Sequence, residues 1–164
     1  MKKYEFTGET KRIELWNRTA TLHRIKATVE FGFVKVGELG GWIEKEENLS
    51  HEGKAWICGD AKVWGNAEVC GDAKVWGNAE VCGDAKVFLA SHVLVMGSVG
   101  SRNDFTTFFR DKDNEITVKC GCFLGKIDKF LEKVTQTHGN NKYALVYRAA
   151  VEVAKLQIEL TERK

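Results

Sequence analysis

Residues 53–88 read GKAWIC GDAKVW GNAEVC GDAKVW GNAEVC GDAKVF, one six-residue unit repeated six times. A short fixed period is typical of repeat proteins, in which a single unit is too small to bury its own apolar face and only stacking creates a core. Ala and Val alternate with charged or large residues, as in a short strand, and the following Gly-Asp or Gly-Asn suits a tight corner. The repeat therefore predicts a mainly β fold built on a short three-sided β-solenoid.

The charge pattern predicts how many residues make one coil of this solenoid. At 18 residues per coil, Lys62 lies against Glu80 and Glu68 against Lys86, whereas at 12 residues per coil lysine stacks on lysine and glutamate on glutamate. Like charges directly opposite each other destabilise a sheet, so we favour about 18 residues per coil. The 12-residue alternative stays open, because identical units recur every 12 residues and would stack their aromatic residues in a ladder.

The flanking sequence divides the chain into three segments. Residues 1–52 are expected to form an N-terminal β cap, with a half-buried strand at Leu22–Phe31, on the first coil of a solenoid at 53–99. Residues 100–164 predict a C-terminal α+β part. Its β-hairpin is expected from DFTTFFR and EITVKCGCF, its first helix from KIDKFLEKVTQTH, and its second helix from about Lys142 to Leu160. The second helix carries an expected apolar stripe of Val146, Ala150, Val153 and Leu160, widened by Leu145, Ala149 and Leu156, with one side left for a partner subunit.

The A-x-V-x-G-[DN] units resemble the hexapeptide repeats of left-handed β-helix proteins. Together with YEFTGET at 4–10 and FVKVGELGGWIEKEENLS at 33–50, they also resemble a family of small uncharacterised proteins carried by bacteriophages and prophages. The resemblance covers residues 4–88 and implies a phage accessory protein. The best-known hexapeptide-repeat proteins are trimeric acyltransferases that present a catalytic histidine from a loop between coils. Residues 53–88 contain neither a histidine nor an inserted loop, so we expect a protein that is not an enzyme.

Composition narrows the function classes. The chain has 164 residues and a formal net charge of +2, which gives no general preference for polyanions. Residues 51–100 hold four basic against six acidic side chains, whereas a groove for single-stranded nucleic acid combines aromatic residues with Lys and Arg. The N-terminus MKKYEFTGETKR lacks an apolar run, so we expect neither a signal peptide nor a membrane span, and a location in the host cytoplasm.

The cysteines predict no disulfide framework and no metal site. Five cysteines are an odd number, which suits a reducing compartment. Cys120, Cys122 and His138 are one ligand short of a closed zinc site, and the C-x-C spacing differs from the usual C-x-x-C. Ser91-His92 resembles a remnant of acyl-transfer chemistry, but we expect a surface histidine there. The sequence thus predicts no cofactor.

A candidate ligand site lies where the predicted solenoid ends. Glycine, hydroxyls, an amide and a guanidinium come together after Gly100, and such loops bind phosphate or carboxylate through backbone N–H groups and a forked Arg. The alternative is a plain turn, in which Asn103 and Asp104 make local hydrogen bonds and Arg102 pairs with a carboxylate. The predicted ligand-binding residues are Ser101, Arg102, Asn103, Thr106, Thr107 and Arg110.

Large aromatic residues at the outward position of the repeat predict self-association. If Ala and Val point inward, the outward residues are Trp56, Trp64, Trp76 and Phe88. Monomers seldom expose this much aromatic area, and aromatic residues are enriched in interfaces. We expect a homo-oligomer, a trimer by resemblance to hexapeptide-repeat proteins, with a dimer through the last helix as the alternative.

These observations favour a non-enzymatic phage accessory protein that acts in counter-defence. In this hypothesis the protein sequesters a small anionic, nucleotide-derived ligand at subunit interfaces. One alternative is a protein-protein inhibitor of a host defence effector. Another is a hexapeptide-type transferase that acts on an acyl or nucleotide-sugar donor.

Overall fold

The computed structural model describes residues 2–160, within which the chain forms thirteen β-strands and two α-helices. Met1 and residues 161–164, the ends of two predicted segments, lie outside the described residues. No helix within 2–160 has both the length and the apolar character needed to cross a membrane. Three layers follow one another through the molecule: an N-terminal sheet with the repeat region 53–88, a C-terminal sheet, and the helices.

The N-terminal sheet is a mixed sheet of five strands. Strands β1 (Tyr4–Glu14) and β2 (Thr19–Ala27) form an antiparallel hairpin, and β2 pairs antiparallel with β3 (Leu39–Ile43). Beyond β3 the sheet continues in parallel with two strands of the repeat region, β5 (Lys62–Val63) and β8 (Glu80–Val81). The strand expected at Leu22–Phe31 begins earlier and ends at Ala27, because residues 31–34 instead form a tight turn closed by Phe31 and Val34.

The remaining repeat strands form two further sheets of two strands each. Strand β4 (Trp56–Ile57) pairs with β7 (Lys74–Val75), and β6 (Glu68–Val69) pairs with β9 (Lys86–Val87). The partners expected from the charge pattern are confirmed, since Lys62 lies opposite Glu80 and Glu68 opposite Lys86. The Ala and Val side chains of the units are buried in one core cluster, as the alternation predicts.

The predicted closed three-sided β-solenoid is wrong. The strands of residues 2–160 form separate sheets of five, four, two and two strands, and no closed coil joins them. The physical reason is the small number of units. Six units provide each two-residue strand with one partner from the repeat. Ladder β4–β7 stays two-stranded, ladder β6–β9 gains a single bridge from Leu49 to Val69, and ladder β5–β8 is extended by the N-terminal sheet. The fold is mainly β with two C-terminal helices.

The C-terminal sheet contains four antiparallel strands and packs between the repeat region and the helices. Its strands are β10 (Val93–Val99), β11 (Asp104–Arg110), β12 (Ile116–Cys120) and β13 (Phe123–Lys126), which confirms the predicted hairpin of β11 and β12. Phe109 joins the core of the repeat region, whereas Phe108 joins the core beneath the helices. Successive residues of β11 therefore point into two different cores.

Helices α1 (Ile127–His138) and α2 (Lys142–Gln157) match the predicted helices and cover the outer face of the C-terminal sheet. The expected stripe of α2 is wrong except at Ala150. The buried residues of α2 and its C-cap are instead Ala144, Tyr147, Ala150, Val151, Ala154 and Ile158. Small alanines allow the helix to approach the sheet closely between Tyr147, Val151 and Ile158, while other large apolar side chains point away from it. The exposed ones are Leu145, Val153, Leu156 and Leu160.

Candidate functional site

Of the six ligand-binding residues predicted at and after the loop that follows Gly100, only Ser101 and Arg102 lie at the same cavity. Ser101 and Arg102 line a cavity between the C-terminal sheet and the helices, and Asn103 lies exposed in the β10–β11 turn. Thr106 and Thr107 are both 1% exposed. The Thr106 hydroxyl donates to Cys120 Sγ at 3.4 Å, and Thr107 Oγ1 accepts the Glu80 backbone N–H at 3.0 Å. The Thr106 hydroxyl therefore links two strands of the C-terminal sheet, the Thr107 hydroxyl joins that sheet to the repeat region, and neither lines the cavity.

Arg110 is also engaged in the fold. Its guanidinium donates to the backbone oxygen of Lys86 at 2.9 Å and to Asn114 Oδ1 at 3.1 Å, and it lies 4.9 Å from the centre of the Phe88 ring. Arg110 thus joins the C-terminal sheet to the last repeat unit, away from Ser101 and Arg102.

The cavity has a volume of about 120 Å³ and lies between the β10–β11 turn, the β12–β13 turn and both helices. Its walls are partly apolar, with Phe123, Phe130 and Val134. Its polar rim combines residues that are far apart in sequence, namely Ser101, Arg102, Lys133, Thr137, His138 and Tyr147, with Cys120 and Cys122 beside them.

Two glycines in the left-handed region bring the functional side chains to this rim. Gly100 has a φ of 79°, and the Tyr147 hydroxyl occupies the space that a side chain at Gly100 would need. Gly121 has a φ of 58°, and a Cβ there would lie 2.7 Å from Arg102 Nη1. Both positions combine a backbone conformation that favours glycine with a close approach. The two turns are therefore shaped around the Tyr147 phenol and the Arg102 guanidinium.

The start of α2 fixes the position of Tyr147. Asn141 caps the helix, because its Oδ1 accepts the backbone N–H groups of Tyr143 and Ala144 at 3.0 and 3.1 Å. Tyr147 follows one turn later, with its ring 5.9 Å from that of His138 in a stacked arrangement. Burial, followed by the nearby Cys120, raises the pKa of Tyr147. The phenol therefore stays protonated near neutral pH and can donate a hydrogen bond.

The lining of the cavity contains three basic side chains. They are Arg102, Lys133 and His138, and no carboxylate belongs to the lining. Neither Arg102 nor Lys133 forms an ion pair with any residue in 2–160. Both side chains are exposed at the mouth of the cavity and free to contact an anion there. The cavity is thus arranged chemically for a small anion.

The sequence had singled out Cys120, Cys122 and His138 as a possible metal set, and the structure does bring all three to this cavity. Within 2–160, however, no group of three or more Cys, His, Asp or Glu side chains has an arrangement that could hold a metal ion. Cys120 is half-buried and accepts from Thr106, while Cys122 is exposed at the β12–β13 turn. The thiols contribute to the wall beside the basic groups.

Lys133, Thr137 and Tyr147 were missed by the sequence analysis. Lys133 and Thr137 are four residues apart and therefore lie on one face of α1, and His138 lies next to Thr137. That spacing was a usable signal for a polar patch on α1. Nothing in the sequence indicated that this patch would meet the loop after Gly100, because the contact depends on how the helices pack on the sheet.

The expectation of a surface histidine at position 92 is wrong. His92 is buried, and its Nδ1 accepts the backbone N–H groups of Phe88 and Leu89 at 3.2 and 3.3 Å. Burial, and then the nearby Arg110, lowers the pKa of this imidazole. His92 therefore stabilises the corner that follows the last repeat unit.

The expectation that the repeat aromatics are all exposed for contact with another subunit is wrong for Trp56 and Trp64. Trp56 and Trp64 are only 2% and 5% exposed, because N-terminal residues cover them within the same chain. Trp56 packs against the rings of Tyr4 and Phe31, and Trp64 packs in a cluster with Leu22, Trp42 and Cys82. Phe88 is half-buried beneath Arg110. Of the four, Trp76 alone is largely exposed, at 56%.

Comparison with protein-family models and with curated proteins found no match. The cavity itself therefore carries the chemical information about function. Its three defining features are the small volume, the basic groups and the apolar walls.

Proposed function

We propose that the protein is a non-enzymatic binding protein that sequesters a small anionic ligand in the cavity next to Arg102. The observation that carries the proposal is the basic character of the lining, in which the cations Arg102 and Lys133 meet the His138 imidazole without a carboxylate. A guanidinium provides a forked pair of donors that matches phosphate or carboxylate oxygens. The Tyr147 and Ser101 hydroxyls supply further hydrogen bonds at the same rim.

The size of the cavity defines which part of a ligand enters it. Sites that enclose a whole drug-sized ligand occupy about 300–1,000 Å³. A cavity of about 120 Å³ is smaller, and suits a phosphate or carboxylate group with a short apolar neighbour. In this proposal a nucleotide-derived ligand inserts its phosphate end, and the rest of the ligand extends past Cys122 towards solvent.

The resemblance of residues 4–88 to phage-borne proteins supplies the biological setting of the proposal. Capture of a nucleotide-derived immune signal in the host cytoplasm would act as counter-defence, and needs binding without turnover. The transferase alternative gains no geometric support, since the histidine that follows the repeat units, His92, is buried and its Nδ1 accepts two backbone N–H groups. The inhibitor alternative gains support from the exposed apolar face of α2.

We further propose that this face of α2 mediates a homodimer. Leu145, Leu156 and the intervening Ala149 lie on one side of the helix and are exposed, Leu156 to 87%. Arg148 and Glu152 flank the same side. The Arg148 guanidinium is held within its own chain, where it donates to Thr135, Gly139 and Asn140. In an antiparallel pair of α2 helices the apolar side itself therefore forms the two-fold contact. A trimer through the repeat face is not proposed, because the strands form separate sheets and two of the four aromatic residues expected in its interface, Trp56 and Trp64, are buried within the chain.

Isothermal titration calorimetry tests the binding proposal, with inorganic phosphate, mononucleotides, cyclic nucleotides and ADP-ribose as probes. Arg102→Ala is expected to weaken binding tenfold or more, since a charge-assisted hydrogen bond contributes about 1.5–3 kcal/mol. Arg102→Lys keeps the charge but loses the forked pair of donors, so its affinity is expected to lie between those of the unmutated protein and Arg102→Ala. Lys133→Ala should weaken binding several-fold.

Lys129→Ala is the matched control for Lys133, because Lys129 lies one turn earlier on α1, is exposed and does not line the cavity. It is expected to leave binding unchanged. The proposal fails if no probe binds the unmutated protein, or if Arg102→Ala and Lys129→Ala have the same effect.

A further inference from the structure

A second and larger cavity lies on the repeat region, away from Arg102. It has a volume of about 800 Å³ and opens between the turn at residues 31–34 and the face formed by β4 and β7. Its rim carries two aromatic rings and four charged side chains, namely Phe33, Trp76, Glu38, Lys54, Asp72 and Lys74. We call it the aromatic groove.

Two large rings face the same open space in this groove. Phe33 lies at the tip of the tight turn and is 85% exposed, and Trp76 is the exposed aromatic residue of the repeat. The Lys74 ammonium lies 4.4 Å from the centre of the Phe33 ring and 5.7 Å from that of Trp76. Exposed aromatic rings that converge on one point are typical of binding surfaces.

The sequence of the first repeat unit explains why Lys74 lies free between the rings. In the other two ladders a lysine faces a glutamate, Lys62 opposite Glu80 and Lys86 opposite Glu68. Lys74 instead faces Trp56, because the first unit, GKAWIC, has tryptophan where later units have lysine or glutamate. Its ammonium therefore has no cross-strand carboxylate and contacts the two rings.

The charged side chains of the groove are available to a ligand. Within residues 2–160, the side chains of Lys54, Lys74, Glu38 and Asp72 form neither an ion pair nor a hydrogen bond, although Lys74 has its ring contacts. Two ammonium groups can bind an anionic group, and two carboxylates can accept hydrogen bonds from N–H donors. The groove thus offers aromatic faces, cations and acceptors together.

We propose that the aromatic groove binds a nucleotide whose base carries N–H donors. The base stacks on Phe33 and Trp76 and displaces the Lys74 ammonium from between the two rings. Lys74 then pairs with the phosphate together with Lys54, and Glu38 or Asp72 accepts from the edge of the base. Stacking on aromatic side chains is favourable for every base, because each has a π face. The volume lies in the range of sites that enclose a whole small ligand. This inference goes beyond the anion cavity, which has different residues.

Calorimetric titration with GMP tests the inference, because guanine presents adjacent N–H donors. Trp76→Ala and Phe33→Ala are each expected to weaken GMP binding about tenfold, the loss expected from one stacking contact. Lys74→Met keeps the length of the side chain, removes its charge and is expected to weaken binding by a similar factor. Guanosine, which lacks the phosphate, and ribose 5-phosphate, which lacks the base, should each bind more weakly than GMP.

Trp16→Ala is the matched control for the aromatic variants, because Trp16 is also exposed but lies at the β1–β2 turn outside the groove. It should leave GMP binding unchanged. Any GMP that binds the anion cavity is lost in Arg102→Ala, so in this background the remaining GMP binding should persist and should still be weakened by Trp76→Ala. Failure of one site is then distinguishable from failure of the other. Absence of GMP binding, equal binding of ribose 5-phosphate, or unchanged binding in Trp76→Ala and Phe33→Ala would each overturn the inference.

Discussion

The hexapeptide GDAKVW occurs twice, at residues 59–64 and 71–76, and the two copies have different environments. Trp64 of the first copy is buried with Leu22 and Trp42, whereas Trp76 of the second is exposed beside Phe33. Lys62 faces a glutamate, and Lys74 faces a tryptophan. Identical local sequence thus gives the same short strand and corner in both copies, and different surroundings for the outward side chains.

The difference comes from what packs on each copy. Strand β5 of the first copy pairs with β3, so the N-terminal hairpin lies over Trp64. Strand β7 of the second copy pairs only with β4, and the turn at residues 31–34 reaches its edge without covering Trp76. One copy therefore contributes to the core of the fold, and the other to a candidate binding surface.

Alanine at the two tryptophans is expected to give the largest contrast. Trp64→Ala removes a buried aromatic side chain, a change that typically lowers the free energy of unfolding by about 3–5 kcal/mol. Trp76→Ala removes an exposed ring and should change it by about 0.5 kcal/mol or less. Urea denaturation followed by circular dichroism measures both. Equal losses at the two positions would show that the packing of the N-terminal hairpin on Trp64 contributes little.

Glutamate substitutions test whether the exposed face of the repeat region or the exposed face of α2 holds a dimer together. A buried unpaired charge costs about 3 kcal/mol or more, so Leu156→Glu is expected to dissociate a dimer that uses α2. Trp76→Glu should leave the sedimentation coefficient unchanged. Sedimentation velocity distinguishes the two outcomes. Dissociation by Trp76→Glu alone would place the interface on the repeat face and remove α2 from it.

A half-buried imidazole, His51, and a buried one, His92, lie at the two ends of the repeat region and predict a shared pH dependence. His51 Nδ1 accepts the Lys3 backbone N–H at 3.2 Å, as His92 accepts from Phe88 and Leu89. Burial is the main cause that lowers the pKa of both groups. The unfolded chain, with histidine pKa values near 6.5, therefore binds more protons than the folded one just below that pH.

The contribution of these two histidines to the free energy of unfolding is accordingly expected to be fully present above about pH 6.5. It should be lost as the pH falls towards their lower pKa values in the folded state. Each histidine contributes a slope of at most about 1.4 kcal/mol per pH unit within that window. Urea denaturation at a series of pH values measures the slope. Replacing both histidines with glutamine should abolish this component, and an unchanged slope in the double variant would assign it to other groups.

The sequence predicted the elements that depend on local pattern. Helices α1 and α2 form where the apolar spacing placed them, although α2 ends at Gln157 and not near Leu160, and the pairing of Lys62 with Glu80 followed from charge. The closed solenoid failed because the pattern of a unit does not show how many units are needed to close a coil. The burial of Trp64 and the meeting of Lys133 with Arg102 depend on contacts between distant segments, which a local pattern does not contain.

The smallest expected effect concerns the two ladders in which lysine faces glutamate. Lys86 and Glu68 form a direct ion pair, and both are partly exposed, so reversing both charges should restore most of the loss caused by either single reversal. The expected loss is about 0.2–1 kcal/mol per single reversal. Thermal or urea denaturation of the two single variants and the double variant forms the cycle that measures the coupling.

The ladder of Lys62 and Glu80 should behave differently, although its partners are also directly opposite. Glu80 makes its ion pair with Lys119 of β12, at 3.4 Å, so a lysine at position 80 meets the Lys119 ammonium across the layer boundary. The double reversal Lys62→Glu with Glu80→Lys is therefore expected to remain destabilised, while the double reversal at Glu68 and Lys86 is not. Equal recovery in both cycles would mean that Lys119 does not act on Glu80. The C-terminal sheet would then have no electrostatic influence on the repeat region at this position.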